Sequence, residues 1–442
     1  MFLSQCSEKT GKNTEEAMSH LFHTGYNRLI ERLNRFPQGA PPSMLLYKIL
    51  KILFSEKEAE LVSLLPVKPF TAEAASKIWK MSAASSEKIL DELAGRAILL
   101  DFSENDKQMY CLPPPMAGFI EFSMMRTRGD IDQKLLSELL YQYINVEEAF
   151  VKALFLRGET QLGRVFINEE AIRDLQMLEV LDYERASEVI KMASHIGISD
   201  CYCRQKMKQV GKACEAPLDI CMTFNTSAAS LIKHGFARKV DVTDCMKVLN
   251  RAYEFNLVQF GENVRKRVNF ICNCCSCCCE AMIVAKKFGM EHPVHTTGFL
   301  PEIMNDNCTG CGKCADACPV EAISLVLADD TSHLKLKKAL INEEICLGCG
   351  ICKRVCHSDG IRLARRSRRV IPPYNTVHRT VVMAIERGNL QDIIYDNRVL
   401  LSHRVFSAIL RAVLKLPPVK LAMASKQVKS RFFEAVFSRY NI

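Results

Sequence analysis

The chain has 442 residues, too many for one hydrophobic core and enough for about three domains at the usual ~100–200 residues each. With 48% hydrophobic and 25% charged residues it is neither disordered nor fibrous, and no run approaches the ~18 apolar residues of a membrane-spanning helix. Two features depart from the ordinary: 21 cysteines, and a net charge of +9 concentrated in residues 361–442, which hold 16 Lys and Arg against 4 Asp and Glu.

The opening stretch lacks a basic region followed by an apolar one, so a secretory signal is not expected and a cytoplasmic chain is. In a reducing compartment, closely spaced cysteines point to metal rather than to disulfides. They also divide the chain. Residues 1–200 contain only Cys6 and Cys111, residues 201–279 contain eleven, and residues 308–356 contain eight.

After an N-terminal helical segment, residues 1–40, residues 44–65 show helical periodicity through Leu45, Leu46, Ile49, Ile52 and Leu53, interrupted by Pro66–Pro69. Thr71 can cap a helix that runs through Trp79, and Ser85 can start a second one carrying Ile89, Leu90 and Leu93 on one face. Ala97–Phe102 and Gln108–Leu112 flank a polar turn and read as a hairpin. This order predicts a winged-helix-like domain over 41–126. That segment holds 10 Lys and Arg against 11 Asp and Glu, and its second helix carries Glu87, Asp91 and Glu92. DNA binding needs phosphate neutralisation, so the expectation is a structural or protein-docking module. A redox-sensing transcription regulator is the alternative.

Residues 127–290 read as a cysteine-rich, mainly helical region. Leu135, Leu136, Leu139, Leu140 and Tyr143 form one stripe, and Tyr183–Ala193 forms a later helix. Its cysteines include Cys201-Tyr-Cys203-Arg204, Cys214, Cys221 and the run Cys272-Asn-Cys274-Cys275-Ser-Cys277-Cys278-Cys279. On extended backbone, residues i and i+2 face the same way and adjacent ones face apart. Cys201 with Cys203, and Cys272 with Cys274, can therefore share a centre, while Cys274–Cys279 can serve two sites, or one with spare thiols. A further metal centre is expected among these ten, with iron–sulfur favoured over zinc. Arg204 could balance a negative cluster, though a surface ion pair is the commoner role.

Cys308, Cys311, Cys314 and Cys318-Pro319 form a C-x2-C-x2-C-x3-C-P run, and Cys346, Cys349, Cys352 and Cys356 repeat the spacing. Three thiolates two residues apart wrap one cubane, and the fourth, carried off by the next helical turn, ligates the other cluster. One cluster is thus expected on Cys308, Cys311, Cys314 and Cys356, and a second on Cys346, Cys349, Cys352 and Cys318. Zinc sites use two cysteine pairs, whereas these are two complete four-cysteine runs. Gly310, Gly312, Gly348 and Gly350 would let backbone N–H groups approach the sulfurs, and Ala322–Leu327 and Leu334–Ile341 would supply strands linking the halves. Residues 301–365 resemble the bacterial two-cluster 4Fe-4S ferredoxins, which implies low-potential one-electron transfer. His357 departs from the proline common after the last cysteine.

Residues 366–442 read as a basic helical tail, with Val377–Glu386 and Val405–Leu416 amphipathic and Arg362, Arg365, Arg366, Arg368, Arg369, Lys426, Lys429 and Arg431 supplying charge. An acidic redox partner is the favoured occupant, and peripheral membrane contact is another. There is no Gly-x-Gly-x-x-Gly after a strand, no Walker A loop and no assignable triad, and His292 and His295 have no clear role.

The fold class is therefore α+β and multidomain. The combined motifs resemble a family of multi-cluster 4Fe-4S binding proteins of anaerobic prokaryotes, which implies redox work and no particular substrate. The expected function is an electron-transfer relay or the electron-carrying subunit of an oxidoreductase. The runner-up is an enzyme whose second cysteine site reduces a substrate.

Overall fold

The computed structural model describes residues 25–172, 180–327, 337–367, 371–397 and 399–416. Cys6, Arg368, Arg369, Lys426, Lys429, Arg431 and residues 328–336, which include the start of the expected strand Leu334–Ile341, lie outside them.

The periodic stretch 44–65 forms two helices, Met44–Leu53 and Glu56–Leu64, not one. Phe54 is extended, and Ser55 opens the second helix with a capping box. Its hydroxyl accepts from the Glu58 N–H at 3.3 Å, and the Glu58 carboxylate accepts from the Ser55 N–H at 2.8 Å. Thr71 caps Ala72–Trp79 as expected. The next helix, Ala83–Gly95, starts earlier than expected, because Ser82 is the cap and accepts from the Ser85 N–H at 3.1 Å. Strands β1 (Leu100–Glu104) and β2 (Lys107–Cys111) pair across Asn105 and Asp106, both at positive φ, the conformation that a two-residue hairpin turn requires. Phe70 pairs with Tyr110, extending the small sheet.

This hairpin is a docking element. Asp101, 2% exposed, accepts from Ser230 Oγ at 2.7 Å, Lys233 Nζ at 2.5 Å and His234 Nε2 at 3.0 Å. These partners belong to or follow the helix Asn225–Lys233 of the cysteine-rich region. Burial pushes the Asp101 carboxyl up, but the Lys233 and Ser230 hydrogen bonds outweigh it and hold the group below 3.8.

The expectation of a mainly helical cysteine-rich region overlooked its centre, a six-stranded antiparallel sheet. The order is β3 (Gly163–Val165), β7 (Val258–Glu262), β8 (Phe270–Cys274), β5 (Asp219–Phe224), β4 (Ile196–Asp200), β6 (Arg238–Lys239). One face presents Ile196, Ile198, Ile220, Met222, Phe224 and Ile271 to the helices Ala186–Met192 and Val242–Glu254. The other presents Cys221, Cys272 and Cys274, as period-two alternation requires. Helices do occur where expected, at Gln133–Tyr141 and Ala186–Met192. The strands escaped detection because each is short and mixes apolar residues with cysteine, Gly and Asp.

Residues 299–365 form two copies of one strand–loop–helix–strand unit. β9 (Phe299–Ile303), the helix Lys313–Asp316 and β10 (Ile323–Leu327) recur as β11 (Lys337–Ile341), the helix Ile351–Arg354 and β12 (Ile361–Arg365), at the offset separating Cys308 from Cys346. Each half pairs with the other, β9 with β12 and β10 with β11, both antiparallel. The repeat thus extends well beyond the cysteine spacing and begins two residues before the boundary expected from sequence.

The basic tail is not free over its first half. In the helix Thr376–Arg387, Arg379 donates to the Leu162 carbonyl and pairs with Glu262 at 3.0 Å. Arg387 donates to the carbonyls of Pro37, Ala153 and Leu154. These arginines strap the N-terminal region to the sheet. The later helix Leu401–Leu414 leaves Leu401, Val405, Phe406, Ile409 and Val413 exposed. Among the described residues no helix is long and apolar enough to cross a membrane.

Replacing Asp101 with Ala leaves the buried Ser230 hydroxyl and the half-buried His234 without their acceptor, so it should lower unfolding free energy by about 1–3 kcal/mol, read as a lower urea midpoint. The carboxylate's contribution is complete above its unfolded pKa and is lost as pH falls through the folded value, below 3.8. An unchanged midpoint at neutral pH would mean that the contact adds nothing.

Candidate metal centres

The repeat places its eight cysteines around two cavities of nearly equal size. One, of about 340 Å³, is lined by Cys308, Cys311, Cys314 and Cys356. The other, of about 330 Å³, is lined by Cys346, Cys349, Cys352 and Cys318. Each cavity takes three thiols from one run and the fourth from the other, the crossed arrangement expected from spacing. Gly312 and Gly350, at φ 83° and 84°, open the two short helices. Backbone N–H groups then face sulfur: Lys313 toward Cys311, Gly348 toward Cys346 and Ile351 toward Cys349, while the Ala322 N–H donates to Cys318 Sγ at 3.2 Å. Four thiols, glycine turns and inward N–H donors fit a 4Fe-4S cluster in each cavity.

Residues 307–360 match the 4Fe-4S dicluster domain. No curated protein and no solved structure matches the chain. The match includes all eight cysteines of the two runs, so this is an iron–sulfur protein.

The two cavities of the dicluster domain differ in setting. Cys311 is exposed, with exposed Lys313 beside it and exposed Lys337 at the start of β11. The Cys349 cavity faces inward. The Cys349 carbonyl accepts from the Asn168 N–H at 2.9 Å, and Arg354 reaches Glu170 at 2.6 Å and Asn256 at 2.8 Å. Burial pushes the Cys349 thiol up to about 12.

The second cysteine field separates into two thiol groups. Cys214, Cys275, Cys277 and Cys278 bring their sulfurs within 4.8 Å of one another. Neighbouring pairs stand at 3.6 Å (Cys214–Cys275), 3.8 Å (Cys214–Cys278) and 3.7 Å (Cys277–Cys278). A Zn–S bond of about 2.3 Å in a tetrahedron sets sulfurs about 3.8 Å apart, so this set fits one ion. The hydrogen bond from Cys278, with the nearby Arg204 charge, holds Cys275 down to about 4 against the cost of burial.

The other thiols form a buried chain of contacts, Cys201–Cys203–Cys279–Cys274–Cys272–Cys221. Cys279 and Cys274 stand 3.1 Å apart, and Cys221 and Cys272 3.9 Å. The run 274–279 is thus divided, with Cys274 and Cys279 on one side and Cys275, Cys277 and Cys278 on the other. Cys245 joins neither group. It packs on Met222 Sδ at 3.5 Å in the opposite core, and burial lifts it to about 12. Cys111 is half-buried and likewise lifted to about 12 by its desolvation.

Arg204 is not a surface ion-pair residue. It is 2% exposed, donates to the carbonyls of Asn273 at 2.8 Å and Pro217 at 3.1 Å, and lies between the two thiol groups, near Cys201, Cys274 and Cys275 and against Cys214. Sequence reasoning also missed Glu280 and Lys206, a buried pair at 2.5 Å in which Glu280 accepts from Cys203 Sγ at 2.6 Å. Glu121 was missed too, its carboxyl lifted to about 8 by burial and by neighbouring Glu280, Cys279 and Cys201. For Glu280 the available signal was an acid directly after Cys279, followed by the apolar run Ala281–Ala285. His295 is structural, with the Gln161 N–H donating to its Nε2 at 3.4 Å and burial lowering it to about 4.

At Gly310, φ is 64° and an added Cβ would sit 1.9 Å from the Lys337 carbonyl oxygen. Gly310→Ala should therefore cost about 2 kcal/mol or more and lower the iron content of the purified protein. Full iron occupancy with unchanged stability would show that the turn relaxes freely.

Proposed function

We propose that this chain is an electron-transfer protein that carries two 4Fe-4S clusters, one on Cys308, Cys311, Cys314 and Cys356 and the other on Cys346, Cys349, Cys352 and Cys318. The observation that carries this reading is the pair of matched cavities, each completed by a cysteine from the opposite run. Such clusters supply low-potential one-electron transfer. The chain's own part is to hold the thiolates apart at cluster spacing, to aim N–H groups at the sulfurs and so favour added negative charge, and to keep solvent from the inner site.

Exposed Cys311 marks the face where electrons enter or leave, and Lys313 and Lys337 suit an acidic redox partner there. The Cys349 side hands electrons inward to the sheet. Cys214, Cys275, Cys277 and Cys278 hold a zinc ion that closes the loop after β8, since their sulfurs converge at single-ion spacing.

The N-terminal module resembles a winged helix that serves to dock the rest of the protein. Its hairpin is engaged through Asp101 with Ser230, Lys233 and His234, and the Tyr110 hydroxyl donates to Asp91 of the second helix at 2.7 Å. A DNA-reading role is disfavoured on the same ground.

Crossed ligation has a distinctive test in electron paramagnetic resonance of the dithionite-reduced, anaerobically purified protein. Cys318→Ser should perturb the same signal as Cys346→Ser, and Cys356→Ser the same one as Cys311→Ser. If Cys318→Ser instead perturbed the signal lost in Cys311→Ser, the assignment would be wrong.

A further inference from the structure

We propose that Cys201, Cys203, Cys274 and Cys279 hold an additional iron–sulfur centre, separate from the zinc site and buried behind the inner cluster of the dicluster domain. It does not depend on the identity of the ion at Cys214.

The first ground is spacing. Among the described residues, only the Cys214 group gathers its sulfurs within 4.8 Å of one another. The eight cysteines of the dicluster domain do not, because they surround cavities of about 330 and 340 Å³. The buried chain shares with them that no three of its sulfurs lie within 4.8 Å of one another, although Cys274 and Cys279 stand 3.1 Å apart, so it does not form a single-ion site.

The second ground is how the sulfurs are held. Cys201 and Cys279 are the N-terminal caps of two eight-residue helices, Tyr202–Gln209 and Glu280–Lys287. The backbone N–H groups of Arg204 and Met282 face their sulfurs, without closing a capping hydrogen bond. Cys311 and Cys349 receive the N–H groups of Lys313 and Ile351 in the same manner. Two helix N-termini therefore converge on four thiols, Cys203 and Cys274 completing the set.

The third ground is charge. A buried cation needs a counter-charge, and the described residues offer Arg204 no carboxylate at ion-pair distance. It has only carbonyl acceptors and the thiols around it, and its buried Nε has no hydrogen-bond partner. Thiolate-bound metal carries net negative charge, and Arg204 faces Cys201 and Cys274 on this side as it faces Cys214 and Cys275 on the other, so one buried cation serves both thiol sets. Lys206 is already neutralised by Glu280.

Position gives the site a use. Cys274 and Cys279 belong to the same apolar core as Cys346 and Leu347 of the inner cavity, with Cys203 and Cys349 packed against it. The helix that starts after Cys279 spans about 12 Å at 1.5 Å per residue. At its far end Lys286 pairs with Glu321, and Gly289 lies against Ile345. The additional centre thus stands one short helix away from the dicluster domain, placed to exchange electrons with it.

The test compares iron, acid-labile sulfide and zinc per chain in anaerobically purified full-length protein and two double variants. Cys201→Ser with Cys203→Ser should lose about a third of the iron and sulfide while keeping zinc and the dicluster resonance signals. Cys277→Ser with Cys278→Ser should lose zinc and keep iron; loss of iron there instead would overturn the zinc assignment alone. Unchanged iron and sulfide in the first variant, or loss of zinc from it, would overturn the additional centre. Should that variant lose the dicluster signals as well and so be misfolded, Mössbauer spectroscopy of the ⁵⁷Fe-labelled parent protein decides. Cluster iron beyond that of two 4Fe-4S centres supports the proposal, and iron confined to those two overturns it.

Discussion

Thiolate sulfur carries negative charge, and burying it inside a protein is tolerable only where N–H donors and cations face it. Much of the architecture around the cysteines follows from that constraint. Glycines at φ 64° to 84° turn the backbone of each dicluster loop so that N–H groups face the sulfurs. In the sheet region helix N-termini at Cys201 and Cys279 take that place, and Arg204 supplies the cation. The same principle thus operates through two different local structures.

A second constraint is that the centres must be held at fixed positions relative to one another. The dicluster repeat achieves this internally by exchanging strands, each half supplying the partner for the other. Its attachment to the sheet runs through Arg354, Asn168 and the helix after Cys279. Arg379 and Arg387 then tie the N-terminal module to the sheet through buried carbonyls and Glu262. Among the described residues, Arg379 and Arg387 of the basic tail are therefore structural.

The dicluster domain was legible in sequence because ligand spacing and helical pitch together determine which thiols share a cavity. The N-terminal helices and hairpin were legible through Thr71 and the polar turn, and the break at Phe54 could have been read from Ser55-x-x-Glu58. The central sheet was not, since Ile220, Met222 and Phe224 alternate with Cys221 and Thr223 in a stretch whose cysteines invite a metal reading first. That Cys274–Cys279 could face two ways was legible, but which thiols group together depends on Cys214 and Cys201, brought in by loops whose course spacing cannot fix. The role of Arg204 was hidden for the same reason: its burial arises only when the helix Tyr202–Gln209 packs over Asn273 and Pro217.

The central claim is that thiol spacing sorts these cysteines into open sets that take iron–sulfur clusters and one closed set that takes a single ion. Metal and acid-labile sulfide analysis of the anaerobically purified parent protein tests it most directly. The account predicts about twelve irons, about twelve sulfides and about one zinc per chain. About eight irons or fewer, or iron in place of zinc at the closed set, would contradict it.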